Sequence, residues 1–292
     1  MRPSLGSPVG SRRLIALEVA LAIWVATVLL MAGSSRGAPQ EAAITVAVAA
    51  AADLQPVLPD IAERFRQATG HRVQLTFGSS GNFFSQIQNG APFDVFLSAD
   101  IDYPRRLEAA GLAVPGTLRA YATGRIVLWA AAGAPVDVSR GLDVLLDPKI
   151  RRIAIANPEH APYGRAAVEA LRSASVYERV RDRLVLGENI AQAAQFVQSG
   201  AADIGIIACS QALAPGLKDR GVSYEIPASL HHPIEQAAIV LASSPRRNPS
   251  AQFLAFLERP DIQSVLRSHC FTPPARHLDP RRDSSSRHHP HI

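Results

Sequence analysis

The chain has 292 residues, of which 47% are hydrophobic and 19% are charged. This length suffices for one or two packed domains, and this composition argues against a disordered chain. The formal net charge of +5 lies at the two ends: four arginines against Glu18 give +3 within residues 1–38, and four arginines against two aspartates give +2 within residues 276–292. Residues 39–275 are therefore neutral. A neutral central part lacks the basic surface of nucleic-acid-binding proteins, and we expect no nucleic-acid partner.

The first forty residues have the pattern of an export signal. Arg12 and Arg13 precede an apolar run over residues 14–31, and small residues follow at 32–35. This order of segments is typical of a cleaved signal peptide, which we assign to residues 1–38. A retained membrane anchor is the alternative, because the run approaches the length that spans a bilayer. The signal predicts a periplasmic location.

The other end of the chain is rich in Arg, His and Ser. Residues 273–292 contain few apolar side chains, and we predict a disordered tail. Its histidines, His288, His289 and His291, could bind a transition metal weakly, but a solvated tail is the favoured interpretation.

The chain contains two cysteines, Cys209 and Cys270. They could pair in an oxidising compartment, but sequence alone does not show that they lie close together. The alternative is a buried thiol at Cys209. Both interpretations stay open at this level.

From residue 44 onward, short apolar strands alternate with helical stretches. Such alternation predicts parallel sheets with helices on both faces. Ligands of these sheets bind beyond the carboxyl ends of the strands. Helix N-termini at those loops expose unpaired N–H groups and can hold a small anion without Lys or Arg. The expectation that ligands bind where strands end and helices begin selects four loops, at 51–53, 78–81, 158–164 and 187–190.

Six segments, in order and with consistent spacing over residues 44–271, resemble periplasmic molybdate-binding proteins of ABC transporters. Any one segment would be a weak signal, whereas the set is specific. The segments are AAAADL at 49–54, FGSSGN at 77–82, NGAPFDVFLSAD at 89–100, ANPEHAPYG at 156–164, GENI at 187–190 and GAADIGII at 200–207.

The resemblance implies an α/β, two-lobed type II periplasmic binding protein fold. Each lobe would be a mainly parallel sheet flanked by helices, and two hinge segments would join the lobes. Lobe 1 would comprise residues 42–121 plus 232–272, and lobe 2 residues 122–231. The ligand would be a molybdate or tungstate oxyanion captured by lobe closure, and the partner an ABC transporter membrane permease. We expect a monomer without a cofactor.

The resemblance also selects site residues. Ser80, with Ser79 beside it, matches a loop that offers a hydroxyl and an amide to the anion, although a turn that caps the following helix is the structural alternative. Tyr163 matches a ligand position that could use its backbone N–H or its hydroxyl. Ile190 matches a position that contributes its backbone N–H. His160 is expected to be structural, because the anion needs donors rather than a base.

The first loop departs from the family pattern. Many relatives carry Ser or Thr where this chain has Ala52, and some carry Tyr where it has Ala208. Asp53 follows Ala52, and we expect its carboxylate to cap a helix. If Asp53 instead faced the pocket, it would repel a dianion or favour a protonated or cationic ligand.

Two other functions compete with molybdate binding. The ligand could be sulfate, phosphate or a small organic acid, and phosphate in particular would match an acceptor at Asp53. A hydrolase using Ser79 or Ser80 is the enzymatic alternative, but neither serine lies in a Gly-x-Ser-x-Gly elbow. The sequence also lacks a Walker loop, a dinucleotide fingerprint and the spacing of a free-cation metal site. We therefore expect no enzymatic activity.

Overall fold

The computed structural model describes residues 43–274. The predicted signal peptide at 1–38 lies outside this range, as does the predicted tail beyond residue 274. Between residues 43 and 274, no helix combines the length and the apolar character needed to cross a bilayer.

Ten strands and nine α-helices make up the described chain, with short 3₁₀ helices between some of them. The strands are β1 Thr45–Ala51, β2 Arg72–Gly78, β3 Val95–Ser98, β4 Arg119–Gly124, β5 Ile126–Ala131, β6 Ile153–Ala156, β7 Leu184–Gly187, β8 Ile204–Ala208, β9 Gly221–Glu225 and β10 Ile234–Val240. The helices are α1 Leu58–Thr69, α2 Ser80–Gln88, α3 Asp102–Ala109, α4 Pro162–Ser173, α5 Tyr177–Val180, α6 Ile190–Gln198, α7 Cys209–Ala212, α8 Arg247–Leu257 and α9 Pro260–Ser268.

The strands form two five-stranded sheets, one in each lobe. The first has the order β2-β1-β3-β10-β4 and the second the order β7-β6-β8-β5-β9. In the first sheet β1 runs parallel to β2 and β3, whereas β10 runs antiparallel to β3 and β4. In the second sheet β6 runs parallel to β7 and β8, whereas β5 runs antiparallel to β8 and β9. The two-lobed fold class is confirmed. In each sheet four strands run in one direction and one strand, β10 or β5, runs in the other, so both sheets are mixed but mainly parallel.

The antiparallel strands arise where the chain crosses between the sheets. It leaves the first sheet after Gly124 and enters the second at Ile126, and it returns between Glu225 and Ile234. These two crossings join the lobes. The domain boundaries given above fall near the crossings and stay predictions.

The first sheet is covered on both faces, which is why its central strands are almost wholly apolar. β3 is buried along its whole length, and edge strand β2 alternates between exposed and partly buried residues. Phe65 of α1 packs edge-on against Phe253 and Phe256 of α8, with ring centroids 5.1 and 5.3 Å apart. Phe83 of α2 lies in a separate apolar cluster on the other face. These layers hold the carboxyl ends of β1 and β2 in fixed positions beside the second lobe.

Candidate functional site

A small cavity lies between the two lobes, at the loops that the sequence selected. Its free volume is about 10 Å³, roughly the space of one water molecule and far below the usual range of about 300–1,000 Å³ for sites of drug-sized ligands. The structure brings all six predicted site residues together around it. The lining consists of Ala51, Ala52, Asp53, Gly78, Ser79, Ser80, Ala99, Ala161, Pro162, Tyr163, Asn189 and Ile190.

A wider groove adjoins this cavity and is open to solvent. Its free volume is about 360 Å³, and it shares Ala99 and Pro162 with the cavity. Its other lining residues include Asp100, Arg165 and Glu169, so its character is mixed and charged. None of the six predicted residues lines this groove, whereas all six line the smaller cavity.

Ser80 offers a hydroxyl donor to the cavity. Its Oγ accepts a hydrogen bond from the Ala99 N–H at 2.9 Å, and the side chain is buried. Because this bond occupies the oxygen as an acceptor, the hydroxyl proton stays available for another oxygen. Ser80 is also the first residue of α2, so its backbone N–H has no intrahelical acceptor.

Ser79 has a different role from its neighbour. Its extended backbone precedes α2, and its Oγ accepts the Asn82 N–H at 3.4 Å, which is N-cap geometry. The capping alternative thus applies to Ser79, whereas Ser80 is positioned as a donor.

Two helices of the second lobe turn their N-termini toward the same cavity. In α6 the Asn189 side chain accepts the N–H groups of Ala191 and Gln192 at 3.0 and 3.1 Å, and this cap leaves the first amide, that of Ile190, without an intrahelical acceptor. In α4 the first residue is Pro162, so the first available amide is that of Tyr163. The cavity is therefore bordered by helix N-termini from both lobes.

The lining carries few ionisable groups. It contains no Lys, Arg or His, and Asp53 is its single carboxylate. Within residues 43–274, no cluster of three or more His, Cys, Asp or Glu side chains could hold a metal ion. The site is suited to hydrogen-bond donation by neutral groups and helix dipoles.

Asp53 lies at the centre of a buried polar network that joins the lobes. Its Oδ2 accepts a hydrogen bond from the Tyr163 hydroxyl at 2.9 Å and another from Gln236 Nε2 at 2.8 Å. The Tyr121 hydroxyl donates to Gln236 Oε1 at 3.2 Å, which fixes the orientation of the amide. Asp53 Oδ1 is buried and has no hydrogen-bond partner among the described residues.

This environment changes the ionisation of Asp53. Burial raises the pKa of its carboxyl from 3.8 to about 7, although the hydrogen bonds from Tyr163 and Gln236 oppose the shift. Burial, together with the nearby charge of Asp53, also raises the pKa of Tyr163 and Tyr121 well above the usual value. Near neutral pH the Asp53 carboxyl is therefore present in both its protonated and its ionised form.

The prediction that Asp53 caps a helix is wrong. It lies inside the 3₁₀ helix Ala52–Leu54, where the cap position is Ala51 and no side chain caps the backbone. Partners on the second lobe and on β10 compete for the carboxylate, and these contacts do not follow from local sequence. Tyr163 is buried and its hydroxyl donates to Asp53, so of the two groups that it could offer to a ligand only the backbone N–H remains without that partner.

Sequence reasoning missed Tyr121, Gln236 and Gly124, which lie on the strands next to the hinge. A Cβ at Gly124 would overlap the Tyr163 hydroxyl and approach Gln236 Nε2 to 3.0 Å, so only glycine leaves room for the network. The sequence signal that could have identified Gln236 was a glutamine within an otherwise mainly apolar strand, since a polar side chain buried there needs hydrogen-bond partners.

The short helix α7 of the second lobe holds the first loop directly. Ser210 Oγ donates to the Asp53 carbonyl at 2.7 Å, and Gln211 Nε2 donates to the Ala52 carbonyl at 2.8 Å. Both side chains are buried. Although Ala208 itself offers no polar side chain, the residues that follow it bind the first loop.

The two lobes touch closely beside the cavity. The Gly81 N–H donates to the His160 carbonyl at 2.8 Å, and a Cβ at residue 81 would lie 2.6 Å from that oxygen. His160 Nε2 is 2.9 Å from the Glu188 carbonyl within the second lobe. The expectation that His160 is structural agrees with these contacts, and the closeness of the lobes indicates a closed conformation.

An ion pair also bridges the lobes at the rim of the wider groove. Arg165 of α4 contacts Asp100, which follows β3, and it donates to the Tyr103 hydroxyl at 3.2 Å. Both charged side chains are partly exposed. We expect this pair to favour closure modestly, because solvent screens it.

Cys209 and Cys270 are joined in a disulfide, with their Cα atoms 5.7 Å apart. Cys209 begins α7 in the second lobe, and Cys270 follows α9 in the first. The bond resolves the question that the sequence left open, and it ties the lobes together covalently near the crossings.

With the fold and the cavity described, comparison with known proteins becomes informative. Residues 46–272 match the family model of the bacterial extracellular solute-binding proteins, and the chain belongs to this family.

The most similar relatives have a narrower description. Molybdate-binding protein ModA of Azotobacter vinelandii is 42% identical over 243 residues, covering 83% of this chain and 94% of the relative. Molybdate-binding protein ModA of Rhodobacter capsulatus is 39% identical over 228 residues, covering 78% and 88%. The structure of the periplasmic molybdate-binding protein of Azotobacter vinelandii superposes with a TM-score of 0.74 at 34% identity, covering 79% of this chain and all of that one.

Proposed function

We propose that this protein captures molybdate, or the similar oxyanion tungstate, between its two lobes. It then delivers the anion to the membrane permease of an ABC importer. The observation that carries the proposal is the cavity itself, which is small, bordered by helix N-termini from both lobes, and free of Lys and Arg. The similarity to proteins named for molybdate binding supports it.

The geometry of the cavity supports a proposed set of binding residues. The Ser80 hydroxyl and the first-turn amides of Ser80, Tyr163 and Ile190 would donate to oxygens of the anion. Ser79, Ala52 and Asp53 complete the wall, with Ser79 acting through the helix cap. A fully deprotonated tetrahedral anion needs donors on every side, which is what two facing helix N-termini supply.

The remaining assignments extend the same proposal. The protein works in the periplasm as a monomer, has no catalytic step and no bound cofactor, and recognises no nucleic acid. Its family consists of extracellular solute-binding proteins, which supports a binding role rather than an enzymatic one.

Calorimetric titration of the purified protein with molybdate, tungstate, sulfate and phosphate tests the proposal. We expect tight binding of molybdate and tungstate and weak or absent binding of the other two. Binding of phosphate in preference to molybdate would contradict the proposal and would assign Asp53 the role of an acceptor for a protonated ligand.

A further inference from the structure

The two oxygens of the Asp53 carboxyl have different surroundings. Oδ2 accepts hydrogen bonds from the Tyr163 hydroxyl and from Gln236 Nε2, at 2.9 and 2.8 Å. Oδ1 is buried without a partner in the part of the chain that the structure describes, and Asp53 lines the cavity. A proton on this carboxyl therefore belongs on Oδ1, because Oδ2 already faces two donors.

No positive charge is available to balance a carboxylate here. The side chains that face Asp53 are the Tyr163 hydroxyl from α4, the Tyr121 ring from β4 and the Gln236 amide from β10, and the backbone N–H groups of Asp53 and Leu54 also lie against its carboxyl. Ser210 of α7 bonds the Asp53 carbonyl, and no Lys, Arg or His lines the cavity. An ionised Asp53 would thus stand beside a dianion in a site of low dielectric, where like charges repel strongly.

We propose that Asp53 binds the oxyanion as a neutral carboxylic acid and donates a hydrogen bond from Oδ1 to one ligand oxygen. The inference rests on the proposed function and makes Asp53 a specificity-determining donor in place of the hydroxyl that Ala52 lacks. Tyr163 and Gln236 are positioning residues, since they bind Oδ2 and leave Oδ1 for the ligand.

The proposal predicts a change in the number of protons bound to the protein when the anion binds. When Asp53 is ionised in the free protein, capture of one dianion takes up one proton from solvent, and release of the anion returns it. The raised pKa of about 7 places this exchange near neutral pH. Below that value the proton is already present and no uptake accompanies binding.

The test is calorimetric titration with sodium molybdate from about pH 6 to about pH 9, in pairs of buffers that differ in ionisation enthalpy, on the wild type and on Asp53→Asn. For the wild type we expect the affinity to fall by up to about tenfold per pH unit above pH 7, with uptake approaching one proton per anion. Asp53→Asn should bind with nearly constant affinity and no proton uptake, because its amide can donate to the ligand without titrating. Asp102→Asn, a change at an exposed carboxylate on α3, should behave as the wild type.

The failures of the two proposals can be told apart. Tight molybdate binding by the wild type without pH dependence or proton uptake would overturn the role of Asp53 and leave the proposed function standing. Absence of molybdate binding at every pH would overturn the proposed function itself. If Asp53→Asn does not fold, proton uptake by the wild type alone decides the question.

Discussion

The Tyr163 hydroxyl of the second lobe donates a hydrogen bond to Asp53 Oδ2 of the first lobe across 2.9 Å, in a buried setting. This contact joins the two lobes, and Gln236 on the returning strand shares the same acceptor. The ligand cavity and the hinge region are thus connected through one carboxyl. Closure, ligand binding and protonation are expected to depend on one another.

Ser80→Ala should weaken molybdate binding about 10- to 100-fold, because it removes a buried donor to the anion and the acceptor of the Ala99 N–H. Ser79→Ala is the matched control on the adjacent residue. It should lower the free energy of unfolding by about 1 kcal/mol through loss of the helix cap and change affinity much less. Calorimetry and urea denaturation measure the two effects. Equal losses of affinity in both variants would contradict the assignment of separate roles.

Gly81→Ala should hinder lobe closure, because the added Cβ would lie 2.6 Å from the His160 carbonyl. Alanine favours a helix over glycine, so the first lobe should not be destabilised. We expect an affinity loss of at least about tenfold, equivalent to about 1.4 kcal/mol, and a smaller ligand-induced compaction in small-angle scattering. Ser85→Ala, on the exposed side of the same helix, is the control. Unchanged compaction and affinity in Gly81→Ala would show that closure tolerates the extra atom.

Removal of the disulfide should destabilise the protein. The bond closes a loop between residues separated by 61 positions, for which the chain-entropy relation gives about 4 kcal/mol. The Cys209→Ser, Cys270→Ser double variant should unfold at lower urea concentration than the oxidised wild type. Reductant should lower the midpoint of the wild type and leave the double variant unchanged. A wild type insensitive to reductant would mean that the bond contributes little.

The contribution of Asp53 to the stability of the unliganded protein should fall as pH rises from about 4 to about 7. Asp53 has a pKa of about 7 in the folded protein and near 3.8 when exposed. In this window the folded protein retains a proton that the unfolded chain releases, so the Asp53 contribution to the free energy of unfolding decreases by up to about 1.4 kcal/mol per pH unit. Above pH 7 both states are ionised and this contribution stops changing.

Urea denaturation of the wild type and of Asp53→Asn across that range measures the effect as a difference between the two proteins. The variant should lack the decline, since an amide does not titrate. Parallel curves for the two proteins would indicate that Asp53 titrates at its ordinary value in the fold.

The elements with strong local patterns were predictable from the sequence. Short apolar runs indicate most of the strands, and the start of α6 at Ile190 follows from a local signal, because Asn189 caps the helix where its apolar period begins. The strands β4 and β9 were not predicted, since β9 is largely exposed and carries polar residues that give no apolar signal. The antiparallel direction of β5 and β10 could not be predicted from the sequence either, because it depends on where the chain crosses between the sheets.

The sequence by itself determined which loops border the cavity, because strand ends and helix N-termini are local features that composition and spacing reveal. Only the tertiary structure decided what those loops do together. Asp53 became a buried hydrogen-bonded carboxyl rather than a helix cap because its partners, Tyr163 and Gln236, are 110 and 183 positions away in the chain. Desolvation, long-range pairing and the space left by Gly124 are properties of packing, and no local pattern specifies them.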